Sequence, residues 1–436
     1  MSKLGLTILI VSVAVCAVLF ANVPNVRDQV ALFSQFIGAS ALILMAWAQL
    51  MATRLPVVEP LFGGLDRVYV LHKWSGILAL AAILLHDTID ADMDGLGRET
   101  ALVELGETLG ELSLYGLLVL GVISVATFVP YHLWKWTHRV MGAFFVAGAL
   151  HYLLELKPFS NFGDPVGLYV SAFCLLGLLA YVYTLLPETA RRGRAYRVSS
   201  IDRTGGAAQI SLASEGAPMR HAPGQFAIFS FRQTGLTEPH PYSLSAPPHA
   251  DGALQITVKP LGDFTHRLLR DLKPGSAAQV QGPFGRFTRR SGGSAPELWI
   301  AGGIGITPFL AWAEALTDKD TAPVHLFWAV KSREEAPQLE RIEAAAAAHP
   351  NLTLHLCVSA EGTRMTPEAV ASAADMSQAK AWFCGPAPMR RSLAKALAKH
   401  GMTPRRFHYE EFEFRTGIGF KRLAASLGDR LATQKA

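Results

Sequence analysis

VYVLHKWSGILALAAILLHDTI, Val68 to Ile89, is an apolar run of helical length that carries two histidines, His72 and His86, fourteen residues apart. On an α-helix that separation is about 21 Å along the axis and within about 40° of one face. One imidazole therefore falls near each side of a membrane.

WKWTHRVMGAFFVAGALHYLLEL, Trp134 to Leu156, repeats the pattern with His138 and His151, thirteen residues apart. A single histidine on an apolar helix is ordinarily a satisfied polar residue inside a bundle. Four of them, paired by depth where polar groups are expensive and usually functional, reverse that expectation. Two helices so equipped can clamp two haems, and bis-histidine haem ligation is the leading reading. One mismatch stands: thirteen residues turn about 1300°, which leaves His138 and His151 about 140° out of phase on a straight helix. Either the helix is irregular near Gly142 or Gly148, or the two haems are rotated relative to each other.

The 436-residue chain is 50% hydrophobic and only 17% charged, with a positive mean hydropathy, too apolar for an ordinary soluble protein. The apolar residues concentrate in the first 190 positions. Six candidate spans run from Leu4 to Phe20, Val30 to Met51, Val68 to Ile89, Leu109 to Val129, Leu133 to Leu154 and Val166 to Leu186. The first resembles an uncleaved signal sequence, but no small-residue cleavage site precedes the second, so it is kept as a helix. With the N-terminus inside, the internal loops hold Arg54, Arg67, Lys135 and the cluster Arg191, Arg192, Arg194 and Arg197, as the positive-inside rule requires. This orientation puts His72 and His138 on the cytoplasmic side and His86 and His151 on the outer side. The outer loop from Asp87 to Glu107 is acidic, with Asp90, Asp92, Asp94, Glu99 and Glu104 between its ends. It can attract cations, although a solvated face is the commoner meaning of such a run. Cys16, Cys174, Cys357 and Cys384 have no spacing suited to zinc, an iron–sulfur cluster or a disulfide framework.

After Pro187 the pattern changes. YRVSSI, AQISLA, GQFAIFSF, LQITVKP and SAAQVQGPF, broken by glycine and proline, read as a small antiparallel barrel. After Pro296, ELWIAGG, VHLFWAV, LTLHLCVS and AWFCGP alternate with helical stretches, as in a parallel sheet. HPYSLS, His240 to Ser245, can lay a tyrosine ring on an isoalloxazine and offer Ser243 to its polar edge. In VKPLGDFTHRL, Gly262 permits close backbone approach, and the amides near Phe264 and Thr265 open a helix, a setting that suits a pyrophosphate. AGGIGITPF, Ala301 to Phe309, lies between a strand and a helix and suits a dinucleotide phosphate, although Pro308 stands where the last glycine of the full fingerprint would be.

HPYSLS, VKPLGDFT, GPFG at Gly282 to Gly285, GGIGITPF and FCGP at Phe383 to Pro386, in this order, resemble the ferredoxin-NADP reductase superfamily. Joined to a six-span domain with paired histidines, nearly the whole chain resembles the ferric reductase and NADPH oxidase family. The resemblance implies flavin contacts from His240, Pro241, Tyr242, Ser243 and Ser245, and a FAD pyrophosphate held by Lys259, Gly262, Phe264 and Thr265. It implies a nicotinamide-cofactor phosphate loop at Gly302, Gly303, Gly305, Thr307 and Pro308, and a turn beside the nicotinamide at Cys384, Gly385 and Pro386. His72, His86, His138 and His151 match the ligands of two b-type haems. Arg333, with Ser332 assisting, is placed to hold the 2′-phosphate of NADPH. In HYEEFEFR, His408 to Arg415, Phe414 matches the closing aromatic that covers the flavin. The chain then runs on as a basic amphipathic tail.

The expected division is a transmembrane haem domain over residues 1–190, a FAD-binding barrel over 191–290, a NADPH-binding α/β domain over 291–415 and a tail over 416–436. The expected protein is a multi-pass enzyme of the inner (plasma) membrane with its dehydrogenase in the cytoplasm. It passes electrons from NADPH through FAD and two haems to an outer acceptor, dioxygen giving superoxide or, alternatively, a ferric chelate. A membrane-tethered flavin reductase is the reading in another class. No nucleic acid is expected, and the sequence is silent on oligomeric state.

Overall fold

In a computed structural model the chain is described at residues 3–55, 57–89, 100–125, 129, 131–186, 193–204, 206–289 and 293–410. These residues form two compact units, divided at Leu186.

The first unit is helical. α1 (Lys3–Ala21), α2 (Gln29–Ala52), the short α3 (Val58–Phe62), α4 (Leu65–Thr88), α5 (Ala101–Val125), α6 (Tyr131–Leu154) and α7 (Pro165–Leu185) follow in order. Long apolar runs make the helices, and local chemistry starts them: the Asp28 carboxylate caps α2 by accepting from the amides of Val30 (2.7 Å) and Ala31 (3.2 Å). α1, α2, α4, α5 and α7 contain helical stretches long and apolar enough to cross a membrane. α6, of 24 residues, matches them in length but is less apolar, since it holds Lys135 and Arg139 as well as its histidines. Large side chains such as Ile10, Val18, Val122 and Leu179 face outward, as they would against lipid.

Small residues set the helix contacts. Gly142 of α6 lies against the ring of Tyr181 on α7, and Gly177 of α7 lies against the ring of Phe145 on α6. Phe144, which lies between the two histidines of α6 in sequence, packs on Gly116 of α5.

α5 begins eight residues before the expected span, so Glu104 and Glu107 belong to its first turns and not to an outer loop. Negative charge there complements the helix dipole. Asp90, Asp92, Asp94 and Glu99 lie outside the described residues, as do Arg191, Arg192, Phe414 and the tail.

The second unit holds two sheets. β1 (Arg194–Thr204), β2 (Ala207–Ser214), β3 (Phe226–Phe231), β4 (His240–Ser243), β5 (Leu254–Val258) and β6 (Ala277–Phe284) form an antiparallel sheet in the order β4-β3-β6-β1-β2-β5. Its two ends are brought together by a bridge between Leu244 and Ile256 and by the Ser245 amide, which donates to the Gln255 carbonyl (2.8 Å). α8 (Asp263–Asp271) follows β5.

β7 (Glu297–Gly302), β8 (Val324–Val330), β9 (Leu352–Val358), β10 (Lys380–Cys384) and β11 (Phe407–Glu410) form a parallel sheet in the order β11-β10-β7-β8-β9. α9 (Thr307–Glu314), α10 (Leu339–Ala348), α11 (Pro367–Ala371) and α12 (Ala387–Lys399) connect the strands. The run β7-β8-β9 proceeds to one side and β10-β11 to the other, so the strand order reverses between β7 and β10. In an open parallel sheet the ligand crevice lies at that reversal, outside the carboxyl ends of the strands.

Specific bonds join the two sheets within this unit. Arg341 of α10 donates to Gln209 Oε1 (2.7 Å) and to the Ser245 carbonyl (3.1 Å), and pairs with Glu314 of α9 (2.6 Å). Trp312 Nε1 donates to the Pro223 carbonyl (3.0 Å), and Lys259 pairs with Glu335 at 2.7 Å.

Candidate functional site

α4 and α6 run in the same direction, and their histidines meet at two levels. The ring centres of His72 and His138 are 5.8 Å apart, and those of His86 and His151 are 6.3 Å apart. A metal held between two imidazole nitrogens, each at about 2 Å, sets ring centres about 6 Å apart. α6 is a continuous α-helix through Gly142 and Gly148, so neither glycine breaks it.

Each imidazole is held by its Nδ1. That atom of His72 lies 3.0 Å from the Ala48 carbonyl, that of His86 3.0 Å from the Ser34 carbonyl, and that of His151 3.0 Å from the Gly106 carbonyl. Carbonyls only accept, so each of these nitrogens carries the proton. His138 Nδ1 is 3.0 Å from Ser124 Oγ, whose own proton is donated to the Leu120 carbonyl (2.7 Å), so this nitrogen too is a donor. In all four rings Nε2 is thereby left as the metal-binding nitrogen, the usual arrangement around a ligating histidine. Room beside the rings comes from glycine. A Cβ at Gly38 would stand 3.2 Å from the His86 ring, and one at Gly110 would stand 2.8 Å from the His151 ring. A cavity of about 290 Å³ at this level is lined by both imidazoles, Gly38, Gly110 and Gly148, with Asp87, Glu107, Glu111, Glu155 and Lys157 also on its wall. These residues fit a bis-histidine haem.

In the antiparallel sheet, β4 carries the expected flavin residues His240, Pro241, Tyr242 and Ser243. Tyr242 and Ser243 are held with a buried phenol oxygen and a buried hydroxyl that have no hydrogen-bond partner among the described residues. Ser245 lies just beyond, its hydroxyl accepting from Thr257 (3.1 Å). Orphaned polar atoms on adjacent residues call for a polar ligand. The His240 ring stacks on Phe264 of α8, centres 3.6 Å apart. Thr265 Oγ1 accepts from the amides of Leu261 (2.9 Å) and Gly262 (3.0 Å), which fixes the turn into α8, and Gly262 has nothing within 4 Å of where a Cβ would stand. Lys259 is engaged with Glu335 of the parallel-sheet half.

In the parallel sheet, Gly302 ends β7, and Gly303 and Gly305 lie in the turn that Thr307 and Pro308 convert into α9. Cys384 ends the neighbouring β10, level with Ala301, and Gly385 and Pro386 follow. The two turns touch through backbone: a Cβ at Gly305 would lie 2.2 Å from the Cys384 carbonyl oxygen, and one at Gly385 would lie 3.0 Å from the Gly302 nitrogen. This contact sits at the reversal of strand order, where a dinucleotide is expected. Cys384 is fully buried, and burial, with the Glu410 carboxylate opposite it on β11, pushes its thiol well above the usual range. It stays a neutral thiol at physiological pH. Arg333 lies after β8 and pairs with Glu361 at 3.1 Å.

Sequence reasoning missed the residues that hold the imidazoles. Ser34 and Ser124 resemble any serine on an apolar helix, and the Ala48 and Gly106 carbonyls leave no mark in side-chain chemistry. Gly38 and Gly110 were the available signal, small residues on helices that neighbour the histidine-bearing ones.

Comparison with known proteins gives the same order of parts. The chain matches a ferric reductase like transmembrane component over residues 37–149, an oxidoreductase FAD-binding domain over 197–288 and an oxidoreductase NAD-binding domain over 299–395. It is 28% identical over 204 residues to the ferredoxin–NAD(P)(+) reductase component of the naphthalene 1,2-dioxygenase/salicylate 5-hydroxylase systems of Ralstonia sp., covering 45% of this chain and 61% of that one. It is 28% identical over 223 residues to a flavohemoprotein of Bordetella pertussis, covering 47% of this chain and 56% of that protein. The chain thus spans somewhat over half the length of these relatives. Among solved structures, a flavohemoglobin from Malassezia yamatoensis aligns with a TM-score of 0.50 at 14% identity, over 89% of this chain and 99% of that one, a likeness of fold alone. The chain thus joins a region matching a ferric reductase like transmembrane component to regions matching oxidoreductase FAD-binding and NAD-binding domains, the order of parts found in the ferric reductase and NADPH oxidase family.

Proposed function

We propose that the protein carries electrons across a membrane, from cytosolic NADPH through FAD and two bis-histidine haems to dioxygen on the outer face. The observation that carries this reading is the set of four imidazoles, paired at two levels and each anchored by Nδ1. In this reading α6 is a sixth span, the antiparallel sheet is a closed flavin barrel, and the N-terminus and the dehydrogenase face the cytoplasm of a cell whose inner membrane holds the helices.

Bound FAD and haem supply the redox chemistry: hydride acceptance by the flavin, single-electron carriage by the irons. The protein supplies position. Tyr242 and Ser243 offer their unpartnered oxygens to the flavin edge. The amides at the start of α8, fixed by Thr265, meet its pyrophosphate. The turn at Gly302, Gly303 and Gly305, against Cys384 and Gly385, brings the nicotinamide cofactor to the crevice, and Arg333 suits a 2′-phosphate. His72 with His138, and His86 with His151, would hold the two haems, which would supply single-electron transfer toward an acceptor on the outer face.

Asp87, Glu107, Glu111 and Glu155 on the wall of the outer cavity favour a second reading, a ferric chelate as acceptor, since carboxylates draw cations. The deciding experiment uses purified protein loaded with haem and FAD. NADPH consumption is followed under air by cytochrome c reduction with and without superoxide dismutase, then anaerobically with ferric citrate. Dismutase-sensitive reduction is the expected result. Fast anaerobic iron reduction with little oxygen consumption would favour the ferric reductase instead.

A further inference from the structure

The loops that follow β8 and β9 are bonded to each other. The Ala360 amide donates to the Lys331 carbonyl (2.9 Å), and the Ser359 hydroxyl lies 3.4 Å from the carbonyls of Val330 and Lys331. This fixes Glu361 beside Arg333, with Oε1 3.1 Å from Nε and both side chains about half exposed. On the same loop the Ser332 hydroxyl is turned to Glu334, whose carboxyl that bond holds below the usual carboxylate range. Both groups suited to a 2′-phosphate, Ser332 and Arg333, therefore face a carboxylate.

In a sheet of this topology the loop after the second strand meets the adenosine ribose. An acidic residue there suits the 2′-hydroxyl of NADH, and an arginine suits the 2′-phosphate of NADPH. Here the arginine is on that loop, and Glu361 of the neighbouring loop after β9 is bonded to it. An exposed ion pair is weak, so a phosphate can displace the carboxylate at small cost, whereas a ribose hydroxyl leaves it in place.

We propose that Glu361 sets the choice between NADH and NADPH by acting on Arg333: it orients the guanidinium and offsets its charge, so that the site accepts both cofactors. This rests on the nicotinamide-cofactor reading of the parallel-sheet half. Glu361 is a positioning residue in it, working through Arg333.

The test uses the full-length protein with ferricyanide, which takes electrons from the flavin and bypasses the haems. KM and kcat for both cofactors are measured in the wild type, Glu361→Gln, Arg333→Gln and the double variant. Glu361→Gln should lower KM for NADPH about fivefold, the upper end for an exposed pair, with kcat unchanged and KM for NADH moving less than about twofold. In the Arg333→Gln background the same substitution should do nothing. Binding of 2′,5′-ADP, followed calorimetrically, should tighten by the same factor in Glu361→Gln while binding of 5′-AMP does not. Equal shifts for both cofactors, persistence of the effect without Arg333, or unchanged 2′,5′-ADP binding would overturn the proposal. Oxidation of neither cofactor by the wild type would instead overturn the reading on which it rests.

Discussion

A histidine can present one ring nitrogen to a metal in a defined direction only if the other is held, and this chain meets that need four times with four different acceptors. His138 shows the dependence most clearly, since its tautomer is set by a serine hydroxyl already committed to the Leu120 carbonyl. The ligand candidates themselves were legible in the sequence because polar residues in apolar helices stand out. Their anchors were not, because backbone carbonyls and a helical serine carry no distinctive pattern. Replacing His86 with leucine should remove about half of the haem absorbance and leave NADPH-driven reduction of the remainder, measured by difference spectroscopy, since the His72–His138 pair shares no anchor with it. Loss of all haem in that variant would mean that the bundle itself had failed to form.

Among the elements, α8 shows how little the proposed flavin phosphate site would require. Its start is shaped by one hydroxyl, Thr265 Oγ1, which satisfies two amides and leaves the first-turn donors free to point at an anion. Thr265→Ala should weaken FAD binding about five- to tenfold, consistent with about 1 kcal/mol for a lost hydrogen bond, read by flavin fluorescence titration. The strands of both sheets were legible from alternation and from short apolar runs. The early start of α5 was not, because its acidic first turns read as loop in a hydropathy pattern although they suit a helix N-terminus. β11 also escaped notice: Phe407 to Glu410 is too short to announce a strand and owes its place to pairing with β10.

For the molecule as a whole, the two sheets, expected as separate domains, pack together in one compact unit. No local pattern could reveal this, because the joining residues are single side chains far apart in sequence. Arg341 is the chief of them, reaching from α10 to Gln209 and to the carbonyl of Ser245, next to the expected flavin. Arg341→Met should leave FAD bound but slow flavin reduction by NADPH about tenfold in stopped-flow absorbance, since the two cofactors would no longer be held in a fixed relation. A rate within about twofold of wild type would show that the other contacts between the sheets suffice.

The contact between the turn after β7 and the turn after β10 has a genetic consequence. Glycine is the only residue without a Cβ, so every missense codon at Gly305 adds an atom where the Cys384 carbonyl already stands, and every one at Gly385 crowds the Gly302 backbone. Gly262 is different, with an ordinary extended backbone and open space around it. In a saturation library, alleles at the first two positions are lost at the level of protein abundance. Alleles at Gly262 persist as full-length, folded protein that keeps its haem absorbance and lacks flavin fluorescence, so the two classes of glycine separate by phenotype without any structure in hand.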